Sequence, residues 1–104
     1  MQVLVNSDNH IDGSAEFADR VQAHLTNKLK RFDDHLTRIE VHFNDENSQK
    51  GGATDKRCQI EAHIKGRDTV SVTHHAESLN LALDGATEKL GSALTRVVDK
   101  SRNL

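Results

Sequence analysis

The chain has no proline, tryptophan or tyrosine, and only three phenylalanines and one cysteine in 104 residues. With so few rings, its core must be built from Val, Ile, Leu and Ala. A single cysteine, Cys58, excludes an internal disulfide and agrees with a reducing compartment. No run approaches the roughly 20 apolar residues needed to cross a bilayer. The opening MQVLVNSDNH also lacks the charged and apolar regions of a signal peptide. A cytoplasmic protein without membrane contact is therefore expected. Neither sign of charge dominates, since 14 Lys and Arg stand against 16 Asp and Glu, for a net charge of −2 with His neutral. At this length the chain is expected to form one domain, residues 1–104, with a modest two-layer core and no room for separate catalytic and binding domains.

Residues for enzymatic chemistry are missing too. No nucleophile stands beside a base in a recognisable motif, and no glycine-rich phosphate loop follows a strand. Gly51-Gly52 lies in a polar stretch without the Lys-Ser/Thr of a nucleotide site. Cys58 sits in an alternating apolar run and is expected in the core, not as a nucleophile. The expectation is thus no enzyme, no cofactor and no small-molecule substrate.

Hydrophobic periodicity is what the chain does have. Residues 2 to 7 alternate as a short strand with Val3 and Val5 inward, and Asp8 to Gly13 supply a turn ending in the helix-cap candidate Ser14. From there to Phe32, the residues Phe17, Val21, Leu25, Leu29 and Phe32 recur at helical spacing. Residues 36 to 44 alternate with Ile39, Val41 and Phe43 on one face and Arg38, Glu40 and His42 on the other. Residues 56 to 65 set Cys58, Ile60, Ala62 and Ile64 against Arg57, Gln59, Glu61, His63 and Lys65. Asn44 to Asp55 is polar and too long for a tight hairpin, and is expected to be mobile. Gly66-Arg67-Asp68 turns into a strand over Thr69 to His74, with Val70 and Val72 inward. A last helix over 78 to 100 has the stripe Leu79, Leu83, Ala86, Leu90, Leu94 and Val97.

The order β-α-β-β-β-α predicts an α+β fold, a four-stranded sheet with two roughly parallel helices packed on one face, like a double-stranded-RNA-binding domain. A right-handed crossover through helix one makes the first two strands parallel, and the other connections are hairpins. On helix one, Arg20, His24, Lys28 and Arg31 fall together beside the apolar stripe, with Asp19 and Lys30 on the other side. On the last helix, Lys89, Arg96 and Lys100 take the same-handed flank, away from Asp84, Glu88 and Asp99. One flank is expected to line the groove between the helices and the other to run along an outer edge. Positive charge sorted in this way within a near-neutral chain points to an anionic partner, with phosphate as the leading candidate. The small residues Ala82, Gly85, Ser92 and Ala93 border the second stripe and are expected to let a phosphate backbone approach.

Seven histidines are many for this length. His42 and His63 fall on the outer sheet face near Glu40 and Glu61, where such a set holds a divalent ion only if the register brings the residues opposite one another. Ordinary cross-strand pairing is the expected role, and no metal site is assigned. His74 and His75, adjacent on a strand, point to opposite faces. The outer face has no ring on which to stack a base, which excludes an aromatic RNA-recognition platform.

Several segments in order resemble one family. They are Asn9-His10 before helix one, Arg38-Ile39-Glu40-Val41-His42, Asp45-Glu46-Asn47-Ser48, Asp55-Lys56-Arg57-Cys58, and Ala82-Leu83-Asp84 with Glu88-Lys89-Leu90. Together with the β-α-β-β-β-α order, they resemble the ribosome hibernation-promoting factors, also called ribosome-associated inhibitor A or YfiA-like proteins, in their short form. The resemblance implies a cytoplasmic stress or stationary-phase protein that binds the small ribosomal subunit between head and body. There it would overlap the paths of mRNA and tRNA, silence translation and protect idle ribosomes. It also implies ribosomal RNA contacts through basic side chains on and around the helices. The matching positions are Arg20, Lys28, Arg31, Lys89, Arg96 and Lys100, with Lys56, Arg57, Lys65 and Arg67 near the strand ends as weaker candidates. The short form lacks a C-terminal dimerisation domain, and this chain, ending at Leu104, is expected to lack one too; a monomer is expected, although the sequence does not fix the oligomeric state. Its acidic excess departs from the visibly basic RNA side of many family members. Two function classes follow: a ribosome-silencing RNA binder, and a stress-related protein-binding adaptor that keeps the fold without binding ribosomes.

Overall fold

The computed structural model describes residues 1–7, 15–45 and 56–102, with the side chains of the last helix described as far as Val98. Its elements are β1 (Gln2–Ser7), α1 (Ala15–Lys28), a 3-10 helix (Lys30–His35), β2 (Leu36–Asp45), β3 (Lys56–Ile64), β4 (Val70–Ala76) and α2 (Leu79–Arg102). The strands form one sheet in the order β1-β2-β3-β4. β1 runs parallel to β2, and the remaining pairs are antiparallel. The expected α+β order is therefore the observed one. The turn over 8–13, the Ser14 cap and most of the loop over 44–55 lie outside the described residues.

Alternation decides the two faces of the sheet. Ile39, Val41 and Phe43 of β2 and Cys58, Ile60, Ala62 and Ile64 of β3 are buried, while the residues between them face outward. Both helices cover the buried face. From α1 come Phe17, Val21 and Leu25, with Phe17 edge-on to Phe43 at a centroid distance of 5.1 Å. Gln22 Nε2 donates to the Val3 carbonyl at 3.0 Å and ties α1 to the edge strand. At the start of α2, Ser78 Oγ accepts the Leu81 N–H at 3.2 Å, the bond of an N-cap serine.

Two expectations are corrected here. Helix one does not stay α-helical to Phe32. Leu29 N–H still reaches the Leu25 carbonyl, but Phe32 N–H then bonds the Leu29 carbonyl, three residues back, both at 2.9 Å. With three residues per turn, Phe32 eclipses Leu29, so both remain buried while the steeper rise carries the chain toward β2. In α2 the buried stripe is Ala82, Leu83, Ala86, Leu90, Leu94 and Val98, and Leu79 and Val97 pack only at its margin. A stripe wider than one residue per turn follows from the helix lying over both β3 and β4. Among the described residues no helix is long and apolar enough to cross a membrane.

Candidate nucleic-acid interface

Parallel packing brings one flank of each helix to a shared groove. It consists of three adjoining clefts: the first between Arg20 and His24 on one rim and Asn80 and Asp84 on the other. The second lies between His24, Lys28 and Arg31 and the residues Asp84, Thr87, Glu88 and Gly91. Arg31, Glu88, Gly91, Ser92 and Thr95 close the series. Arg20, Lys28 and Arg31, predicted on one flank, are thus brought together as the exposed rim contributed by α1 and the 3-10 helix.

The opposite rim is acidic. The basic flank of α2 faces away, so the flank it turns toward α1 carries Asp84 and Glu88, both exposed. His24 Nε2 lies 3.2 Å from Asp84 Oδ1 across the groove, but out of line, so this buried nitrogen makes no hydrogen bond. Two of the arginines are steadied by rings. Arg20 Cζ lies 5.8 Å from the Phe17 centroid and Arg31 Cζ 4.6 Å from that of Phe32. Arg31 Nη2 also donates to Thr95 Oγ1 at 2.9 Å, and the Thr95 hydroxyl donates to the Gly91 carbonyl at 2.8 Å.

The other predicted positions lie apart from this groove. Lys89 donates to the Thr73 carbonyl of β4 at 2.8 Å, which places the basic flank of α2 along the outer edge. Arg96 is exposed seven residues on along the same flank, and the Lys100 side chain lies outside those described. Lys56 pairs with Asp45 at 3.1 Å, and Arg57 reaches Asn44 and Gln59, at the start of β3. Lys65 and Arg67 occupy the turn after β3, where the Lys65 N–H bonds the His35 carbonyl. That turn lies at the end of the molecule where α1 gives way to β2.

The expected approach of a phosphate along Ala82 and Gly85 is also corrected. Ala82 is fully buried, and Gly85 is covered by the His74 ring, which faces inward from β4. Of the four small residues, Ser92 alone lies in the groove lining.

On the outer sheet face, the register sets His42 opposite Gln59, Glu40 opposite Glu61 and Arg38 opposite His63. His42 and His63 therefore do not face each other. His63 Nε2 lies 2.9 Å from Glu40 Oε2, and Arg38 Nη2 lies 3.4 Å from the same oxygen. Glu40, Glu61 and His63 form a trio whose ligand atoms lie within 4.8 Å of one another. Arg38 already supplies the positive charge there, at 3.3 Å from His63 Nε2. Hydrogen bonding from His63, aided by the Arg38 charge and opposed by desolvation, holds the Glu40 carboxyl below its usual range. Cys58 is fully buried opposite Phe43, and burial pushes its thiol up to about 12.

Comparison with known proteins agrees with this geometry. The family model described as sigma 54 modulation protein / S30EA ribosomal protein matches residues 4–102. The Thermus thermophilus Protein Y N-terminal domain superposes with a TM-score of 0.74 at 18% identity, over 93% of this chain and 99% of that one. A ribosomal subunit interface protein from Coxiella burnetii gives 0.72 at 17% identity, over 95% and 99%. At these identities the likeness is one of fold. No curated protein sequence matches the chain.

Proposed function

The chain belongs to the sigma 54 modulation protein / S30EA ribosomal protein family, and from that premise we propose that it is a ribosome-associated translation inhibitor, a hibernation factor. It binds the small ribosomal subunit near the mRNA and tRNA channel under stress, in the cytoplasm, as a monomeric single domain. The observation that carries this reading is the row Arg20, Lys28 and Arg31, exposed along one rim of the interhelical groove. Rigid helices hold the row at fixed spacing, so it meets a phosphate pattern and not a base sequence. Lys89, Arg96 and Lys100 on the outer flank, and Lys65 and Arg67 at the turn, extend the basic surface. Lys56 and Arg57 contribute least, because both are only part-exposed and Lys56 is ion-paired with Asp45. No chemistry is required of the protein, since occupying the channel is enough to block translation.

Asp84 and Glu88 on the facing rim favour the alternative, a stress-related protein-binding adaptor that does not bind ribosomes. Co-sedimentation with purified small subunits across a salt series separates the two. Three phosphate contacts predict a log affinity falling by about 2 to 3 per decade of salt. Arg31→Glu is expected to abolish binding with the fold intact, and Lys89→Glu to weaken it if the outer flank also meets RNA. Absence of wild-type binding even at low salt would refute the ribosome reading and leave the adaptor.

A further inference from the structure

Arg31 differs from the other groove cations in being held at two points. Its guanidinium lies over the buried Phe32 ring, and one nitrogen donates to Thr95 on the opposite helix, 64 residues along the chain. The direction of that bond is decided by the next one. The single hydroxyl proton of Thr95 goes to the Gly91 carbonyl, so toward Arg31 the oxygen only accepts. Among the described residues, Arg20 has a more distant ring contact and no hydrogen bond, and Lys28 has neither.

Despite being so held, Arg31 is not neutralised. No ion pair among the described residues involves it, although Glu88 lines the same cleft. Of its five N–H donors, one is used by Thr95. Beside it, Gly91 leaves the helix surface open, with nothing within 4 Å of where a Cβ would be. A planar guanidinium centred over a ring at 4.6 Å, with one nitrogen pinned, has fewer ways to turn, and its remaining N–H donors form the fork that receives two oxygens of one phosphate.

We infer that Thr95 is a positioning residue that, with Phe32, presets Arg31 as a phosphate-receiving fork spanning the end of the groove. The inference rests on the RNA reading of the groove and adds to it a specific subsite and a residue with no charge of its own. Ordering a free, rotamer-rich arginine on binding weakens an interface by about threefold to tenfold, and the Thr95 bond removes that cost beforehand.

The test is a double-mutant cycle on the full chain. Thr95→Val keeps the shape and removes the acceptor, whereas Thr95→Ser keeps the acceptor. Small-subunit affinity is expected to fall about threefold to tenfold in Thr95→Val with the salt slope unchanged, and to stay within about twofold of wild type in Thr95→Ser. In an Arg31→Gln background, Thr95→Val should have no further effect. Wild-type affinity in Thr95→Val, or an equal loss in both backgrounds, would overturn the inference. A second readout needs no ribosome: nitrogen-15 relaxation at Arg31 Nε in the free protein. Order matching the backbone, released in Thr95→Val, upholds the positioning even if subunits are not bound, in which case the ribosome reading fails. An Arg31 Nε as mobile as that of Arg20 overturns it.

Discussion

Gly85 and Gly91 lie six residues apart inside α2, and the same substitution should have opposite effects at the two. Alanine is favoured over glycine in a helix interior by roughly 1 kcal/mol. At Gly91 an added Cβ meets nothing within 4 Å, so Gly91→Ala should stabilise by about 0.5–1 kcal/mol. At Gly85 the same atom would lie 2.6 Å from His74 Cγ, and closer still to Cδ2 and Nε2. Carbon atoms in contact sit about 3.5–4.0 Å apart, so the ring must leave its place between β4 and α2. Overpacking of this kind costs about 1–3 kcal/mol, which offsets or exceeds the propensity gain. The two variants should therefore differ by about 1–3 kcal/mol. At about 4–8 °C per kcal/mol for a domain of this size, that is a Tm gap of roughly 4–24 °C. Thermal unfolding followed by circular dichroism reads it directly. In a His74→Ala background the ring is gone, and Gly85→Ala should become stabilising. Equal Tm values for Gly85→Ala and Gly91→Ala, or an undiminished penalty without His74, would refute the reasoning.

Three further outcomes follow from the surface and the core. Glu88→Gln removes a negative charge from the rim facing Lys28 and Arg31 and should tighten small-subunit binding by about two- to fivefold at low salt. The gain should shrink as salt rises, and unchanged affinity would mean that this rim does not face RNA. With the folded pKa of Glu40 depressed below its ordinary 4.5, its contribution to stability is complete above that value and is lost as pH falls through the lower folded one. His63→Gln should raise the Glu40 titration midpoint measured by carboxylate NMR; an unmoved midpoint would discard His63 as the cause. Cys58, buried and raised to about 12, should resist thiol reagents at pH 8 until the protein unfolds, and rapid labelling of the native form would contradict its burial.

Local periodicity was enough to read the element order, the inward residues of each strand, the burial of Cys58 and the basic flank formed by Arg20, Lys28 and Arg31. Each depends on residues a few positions apart, where the geometry of one helix or strand settles the direction of every side chain. The change to a 3-10 helix after Lys28 was hidden because Phe32 remains apolar and buried under either spacing. Asp84 and Glu88 were correctly separated from Lys89 on their own helix. Their position opposite Arg20 and Lys28 was implicit in two parallel helices with same-handed basic flanks, since only one such flank can enter a shared groove. Other features depended on how distant segments meet. The register of β2 on β3 matched His63 with Arg38 and left His42 opposite Gln59, and a slip of two residues would have paired other residues while keeping the same faces inward. The depth and rotation of α2 over the sheet buried Ala82, set His74 on Gly85 and brought Thr95 to Arg31. These contacts join residues up to 64 positions apart, and they are set by how side chains interlock across the core, which a repeat of two or 3.6 residues does not encode.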